Sequence, residues 1–290
     1  MPSRWLQGGN RGLDEFLQEM ITDTRISYFS DFTDPKIVFP GVEIKGGVCY
    51  FLWDKYHNGK CHYLLHDSNG NIEESERFLK TDCCETFIRY KLCLSILEKV
   101  QDKKENSFSK LVSMREPFAL KSDFFTKYKK YGFTTLSSSK IKDGITVYAY
   151  YNSKRAVRYL PENAPIKRNK ESIPLYKAFI PKAYGCGAIG EEIPTPILGT
   201  PMSVCTETYY LVGGFKTEKE ARNLINYLKT KFFRLLVGLK KITQNTTHRS
   251  YDFVPIQDFS KSWTDAELYA KYGLTQEEID FIESMIKPME

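Results

Sequence analysis

Asp34, Glu43 and Lys45 stand in the order Asp-x8-Glu-x-Lys. In that outline two carboxylates hold a divalent cation and a lysine polarises the water that attacks a phosphodiester. Three common residues at loose spacing also arise by chance, and GVEIKGG (41–47) reads as a loop exit where a nuclease needs Glu43 inside a strand. GCGAIG (185–190) fits the GxGxxG pattern. A phosphate cradle of that kind needs a helix to follow, and EEIPTP cannot start one, so a flexible glycine loop is expected. His62 and His66 fall on one face of a strand with no third ligand at metal spacing, and read as structural. There is no GxSxG elbow and no GxxxxGK[ST] loop.

A different chemistry is carried by bases set among aromatic rings. FFTKYKKYGF (124–133) holds Lys127, Lys129 and Lys130; NSKRAVRYL (152–160) holds Arg155 and Arg158; IKRNK (166–170) holds Lys167 and Arg168. Cations beside rings suit phosphate contacts combined with base stacking, and equally a solvated basic face over a core aromatic.

The elements that must position these residues follow from periodicity. LDEFLQEMIT (13–22) is an amphipathic helix and RISYFSDF (25–32) a strand. A turn-rich loop, IVFPGVEIKGG (37–47), precedes VCYFLWDKY (48–56), whose apolar run predicts a strand buried on both faces. The HNGK (57–60) turn predicts a hairpin into CHYLLHD (61–67), and SNGN (68–71) a second one. CETFIRYKLCLSILEKVQ (84–101) predicts one helix, followed by the polar break DKKENSFSK (102–110). Strands are expected at GITVYAYYN (144–152), YKAFIPKAYG (176–185) and CTETYYLVGGF (205–215). A long helix is expected over 216–241, with Thr217 and Glu220 as its capping box, then a helical pair at 264–273 and 275–286. The expected class is α+β.

Composition removes several functions. The 290 residues carry 42 Lys and Arg against 36 Asp and Glu, a formal charge of +6, with 41% hydrophobic and 14% aromatic residues. That is globular composition, long enough to bury a proper core. No stretch approaches a membrane span, and MPSRWLQGGNRG lacks an apolar signal core, so a cytoplasmic protein is expected. The seven cysteines are odd in number, with no CxxC pair and no zinc spacing, and read as reduced thiols.

MPSRWL, LDEFLQEMI, RISYFSDF, IVFPGVEIKGG and VCYFLWDK, in that order over residues 1–55, resemble the end of the catalytic domain of the gamma-class adenine-specific DNA methyltransferases. That group includes the fused type II restriction–modification enzymes. The stretch TETYYLVGGF…IQDF (206–259) is similar to the family's target-recognition region. The resemblance implies a catalytic-domain remnant at 1–80 and a DNA target-recognition domain at 81–290. It implies that Phe39 stacks on a target adenine swung out of the duplex, where an aromatic face replaces lost stacking; the alternative is that Phe39 plugs the core beside Val48 and Tyr50. It also places Lys240, Lys241, Gln244, Asn245 and Arg249 in the recognition region, where Gln and Asn suit adenine and Arg suits guanine or phosphate. The family's Asn/Asp-Pro-Pro-Tyr/Phe tetrapeptide and its S-adenosylmethionine site are absent from the sequence. The expectation is a chain with no catalytic residue, metal or cofactor of its own, inactive alone, binding double-stranded DNA beside a catalytic half that holds S-adenosylmethionine. A metal-dependent endonuclease using Asp34, Glu43 and Lys45 stays open, as does a protein-interaction module docking through the helices at 216–241 and 264–286 on a partner subunit or a second copy.

Overall fold

The computed structural model describes residues 1–8, 12–42, 44, 46–68, 70–185, 189–241 and 244–289. Helices and strands are mixed, and the chain forms two compact units, Met1–Gln101 and Asp102–Glu290.

The first unit is a four-stranded sheet of β1 (Ile26–Phe32), β2 (Val48–Trp53), β3 (Cys61–His66) and β4 (Ile72–Arg77), ordered β2-β1-β3-β4. β1 runs antiparallel to β2 and parallel to β3. The expected hairpin across HNGK is therefore not formed, although the SNGN hairpin between β3 and β4 is. The reason is local: residues 54–60 wrap the start of β1, with Asp54 N donating to the Arg25 carbonyl and Thr24 Oγ1 to Asn58 Oδ1. β1, buried on both sides over Phe29–Phe32, takes the central place. β2 is left at the edge and is buried only at Val48 and Cys49, with Tyr50, Leu52 and Trp53 exposed, so it is not the doubly covered strand its composition predicts. Helix α1 (Leu13–Thr22) supplies Leu17 and Ile21 to a core of Trp5, Phe29, Cys49, Tyr63, Leu65 and Phe87. Helix α2 (Lys91–Asp102) starts seven residues later than the apolar pattern from Cys84 predicts, because Phe87 and Arg89 turn inward before it.

The second unit holds α3 (Phe124–Lys127) and β5 to β10: β5 (Ile145–Tyr151), β6 (Lys154–Leu160), β7 (Tyr176–Pro181), β8 (Ile197–Gly199), β9 (Ser203–Cys205) and β10 (Tyr209–Phe215). They form two three-stranded sheets, β6-β5-β9 and β10-β7-β8. Four helices follow: α4 (Glu218–Lys229), α5 (Lys231–Lys240), α6 (Asp265–Tyr272) and α7 (Gln276–Met285). The predicted Thr217–Glu220 capping box is present.

The single long helix expected over 216–241 is broken at Thr230, which takes extended geometry (φ −61°, ψ 147°). Its hydroxyl donates to the Tyr227 carbonyl, closing α4, and accepts from Phe233 N, opening α5. Asp265 accepts from Lys231 N and Phe232 N and satisfies two more donors of the new helix. Continuous apolar content conceals such a break: α4 buries Ala221, Leu224, Tyr227 and Leu228, and α5 then buries seven of its ten residues. Thr230→Ala is expected to cost about 1–2 kcal/mol in urea unfolding, the loss of a buried N-cap; a stabilised variant would show that the two helices prefer to fuse.

Candidate nucleic-acid interface

The net charge of +6 is distributed unevenly. Met1–Gln101 carries twelve bases and fifteen acids, net −3. Asp102–Glu290 carries thirty and twenty-one, net +9. Residues 121–170 alone hold twelve bases against three acids, so the whole excess of the second unit lies in those fifty residues. They build α3, the following 3-10 turn, the β5–β6 hairpin and the loop to β7. Phe124, Phe125, Leu160 and Ile166 are buried in one core cluster, so the basic runs at 127–130 and 167–168 flank residues of a shared core.

The predicted bases in this segment divide by partner. Lys129, Lys130, Lys167 and Arg168 are exposed and have no ion-pair partner among the described residues. Lys127 pairs with Asp123 one turn back, at 3.1 Å. Arg155 donates to the Thr195 carbonyl, and Arg158 lies 5.4 Å from the centroid of Phe125, half-buried. Solvated cations keep their charge for a phosphate, whereas committed ones help shape the surface. Lys121, Lys140, Lys142, Lys154 and Lys170 are also exposed here. Reading short basic–aromatic runs misses them; a charge count over a fifty-residue window finds them.

Lys240, Lys241, Gln244, Asn245 and Arg249 end in different surroundings. Gln244, Asn245 and Arg249 are exposed. Lys240 pairs with Asp252 at 2.6 Å and lies 5.0 Å from the Phe253 ring. Lys241 is 3% exposed, its ammonium 2.5 Å from Glu191 and 2.9 Å from the Tyr184 carbonyl. Its charge is neutralised inside the unit and does not face solvent.

In the first unit the loop after β1 presents four apolar side chains to solvent. Phe39 is 48% exposed, beside exposed Ile37, Val38 and Val42, and so does not plug the core. The loop is nonetheless anchored. Phe39 N donates to the Pro35 carbonyl and Asp34 accepts from Lys36 N. At the exit Arg89 Nη2 donates to the Gly46 carbonyl at 2.7 Å, and Ser3 N to that of Gly47. Gly47 lies at φ +88°, and a Cβ there would sit 2.2 Å from the Phe32 carbonyl oxygen, so only glycine closes this turn. Arg89 is itself fixed by fully buried Asp31, Nε to Oδ2 at 2.7 Å, and Asp31 also accepts from Ser3 Oγ and Tyr63 OH. This network escaped the sequence reading; its signal is an acid inside the apolar run ISYFSDF.

Of the nuclease outline, Asp34 caps a 3-10 turn, while Glu43 and Lys45 lie outside the described residues. Residues 186–188 of GCGAIG lie outside them as well. His62 sits between Glu76 (2.7 Å) and Glu74 (3.3 Å), and His66 stacks on Phe32 and meets Ser30 Oγ. Among the described residues no group of three or more His, Cys, Asp or Glu could hold a metal ion, and no helix is long and apolar enough to cross a membrane.

The chain has weak sequence similarity to a protein of Mycoplasma pneumoniae described as an uncharacterized adenine-specific methylase, 32% identical over 60 residues. That match covers 21% of this chain and 14% of the relative. Among solved structures it is similar to the type IIG restriction endonuclease BpuSI, over 98% of this chain and 41% of that one, at 11% identity and a TM-score of 0.36. A likeness of that degree carries no argument about function. No family model matches the chain.

Proposed function

We propose that this chain is the DNA-contacting part of an adenine-specific DNA methyltransferase of a restriction–modification system. The observation that carries the reading is the +9 excess confined to residues 121–170, where Lys129, Lys130, Lys167 and Arg168 are solvated and form no ion pair among the described residues. A protein that neutralises phosphates needs such a surface, and the rest of the second unit is electrically balanced. Exposed Gln244, Asn245 and Arg249 add side chains suited to base edges. Phe39, exposed on an anchored loop, has the chemistry to stack on an extruded base. The similarity to an adenine-specific methylase supports the same reading. The first unit then corresponds to the end of a transferase domain and the second to the target reader. S-adenosylmethionine and the transfer chemistry belong to another segment, and this chain binds DNA without methylating it.

The test is a fluorescence-anisotropy titration of short duplexes at several salt concentrations. The fourfold variant Lys129→Gln, Lys130→Gln, Lys167→Gln, Arg168→Gln is expected to weaken binding. It should also reduce the slope of log affinity against log salt by roughly 3–4, about 0.9 for each phosphate that is no longer neutralised. Unchanged affinity and slope would remove the assignment.

A further inference from the structure

Neighbouring residues of an extended strand send their side chains to opposite faces, so a Cys-Cys pair in a strand keeps its sulfurs apart. Cys83 and Cys84 stand instead in a tight turn, 81–84, whose ends Thr81 and Cys84 meet in an isolated antiparallel bridge. The turn brings both sulfurs together, Sγ to Sγ 3.9 Å apart, with the Thr81 hydroxyl 3.5 Å from the first and 3.7 Å from the second. Cys84 Sγ also donates to the Thr86 carbonyl at 3.0 Å. Both residues are half-buried, whereas Cys49, Cys61, Cys93 and Cys205 are buried. Among the described residues this is the one pair of adjacent thiols within reach of a dissolved reagent.

Two chemistries can join such a pair. A direct disulfide needs the sulfurs to close to about 2.05 Å, with Cα atoms usually about 4.4–6.8 Å apart. Consecutive Cα atoms across a trans peptide are only about 3.8 Å apart, so that ring is strained and easily reduced. Burial also pushes the Cys84 thiol up to about 11, which leaves little thiolate there for disulfide exchange. A bridging atom asks for neither. Two bonds of about 2.3 Å, the length of a zinc–thiolate bond, span up to about 4.6 Å, and the observed separation falls within that reach. The bridging element has to be thiophilic and satisfied by two protein ligands, because no group of three or more His, Cys, Asp or Glu could hold a metal ion among the described residues. It also has to react with neutral thiols. Trivalent arsenic meets all three conditions.

We propose that Cys83 and Cys84 form a dithiol site that captures trivalent arsenicals, one arsenic atom bridging the two sulfurs. An arsenoxide, R–As=O, exchanges its oxygen for the two sulfurs. Both S–H bonds break, two As–S bonds form, and the oxygen leaves as one water carrying the two thiol protons. Arsenic stays trivalent, so no oxidant is consumed. The site belongs to the first unit and uses none of the bases at 121–170.

The test uses the full chain, reduced with a phosphine, and phenylarsine oxide as the probe. Trypsin cuts after Lys80 and Arg89, so the peptide 81–89 carries both thiols and no other cysteine. By mass spectrometry that wild-type peptide is expected to gain one phenylarsenic group and lose two hydrogens. Competition with glutathione separates a two-point bridge from attachment to a single thiol. The wild type should hold the arsenical against at least about a hundredfold more glutathione than Cys83→Ser or Cys84→Ser, the gain from a second bond made within the molecule. Cys186→Ser should behave as the wild type. The wild-type map stands whether or not a serine variant folds, and thermal melting of each variant checks that it does. An unmodified peptide 81–89, an adduct on a different peptide, or folded serine variants that hold the arsenical as firmly as the wild type would overturn the proposal.

Discussion

Replacing Arg89 by methionine is expected to destabilise the first unit by about 3–5 kcal/mol, the cost of stranding a buried carboxylate without its cation. Asp31 is fully buried inside the sheet, and Arg89 is its one charged partner among the described residues. Burial pushes the Asp31 carboxyl above the ordinary carboxylate range, and the attraction of Arg89 with the hydrogen bonds from Ser3 and Tyr63 pulls it back. Methionine fills a similar volume but removes the charge, the two bonds to Asp31 and the bond to the Gly46 carbonyl. Urea unfolding followed by tryptophan fluorescence measures the loss. Trp5 and Trp53 report on the first unit, and Trp263→Phe silences the only tryptophan of the second. The double variant Asp31→Leu, Arg89→Met should lose much less than the sum of the singles, because no charge is left buried. Hydrogen exchange at Val38 and Phe39 should quicken in the single variant, since the loop exit has lost its anchor. A loss below about 1 kcal/mol would mean that Asp31 is held by Ser3 and Tyr63 alone.

The same network shows what was legible in the sequence. Helices α1, α6 and α7, the SNGN hairpin and the Thr217–Glu220 box match their patterns, because each depends on neighbours within about four residues. The expected β2–β3 hairpin fails for the opposite reason. Asn-Gly specifies a turn but not which strand lies beside it, and here β1 lies between β2 and β3. The break at Thr230 depends on Asp265, thirty-five residues away, which no local pattern can contain. For the candidate interface, residue type located the basic surface at 127–130 and 167–168, but partner geometry divided it. Lys241 reads in sequence like Lys129, yet the fold surrounds it with Glu191 and Tyr184. Similarly Phe39 and Phe29 are the same residue type at loop and strand positions, and only burial separates a ring offered to solvent from one enclosed by Trp5, Phe51 and Tyr63.

A buried lysine supplies the second large effect and the clearest pH dependence. Lys177 is completely buried in β7, and its Nζ donates to the carbonyls of Ser172, Ile173 and Leu175 at 2.8–3.1 Å, with no carboxylate in contact among the described residues. Three carbonyl dipoles match the three N–H bonds of an ammonium, but they do not replace its hydration, and burial pushes the pKa down from 10.5 to about 7. The sign follows from proton counting. Between those two values the unfolded chain binds a proton that the folded chain has released, so stability rises with pH. Below about pH 7 both states are protonated and the folded state bears the full penalty, at most about 4–5 kcal/mol. Raising the pH from about 7.5 to about 9 should therefore stabilise the wild type by about 2 kcal/mol relative to Lys177→Met, measured by urea unfolding of both proteins in the same buffers. The comparison matters because buried tyrosines and cysteines oppose the trend. Tyr209 and Cys205, raised by burial, stay protonated in the fold and ionise in the unfolded chain, which erodes stability at the alkaline end. Those groups are common to both proteins and largely cancel in the difference. A difference that stays flat over this range would show that the three carbonyls hold Lys177 fully charged in the fold, and the ammonium would then act as a permanent tie across residues 172–175 rather than as a titrating penalty.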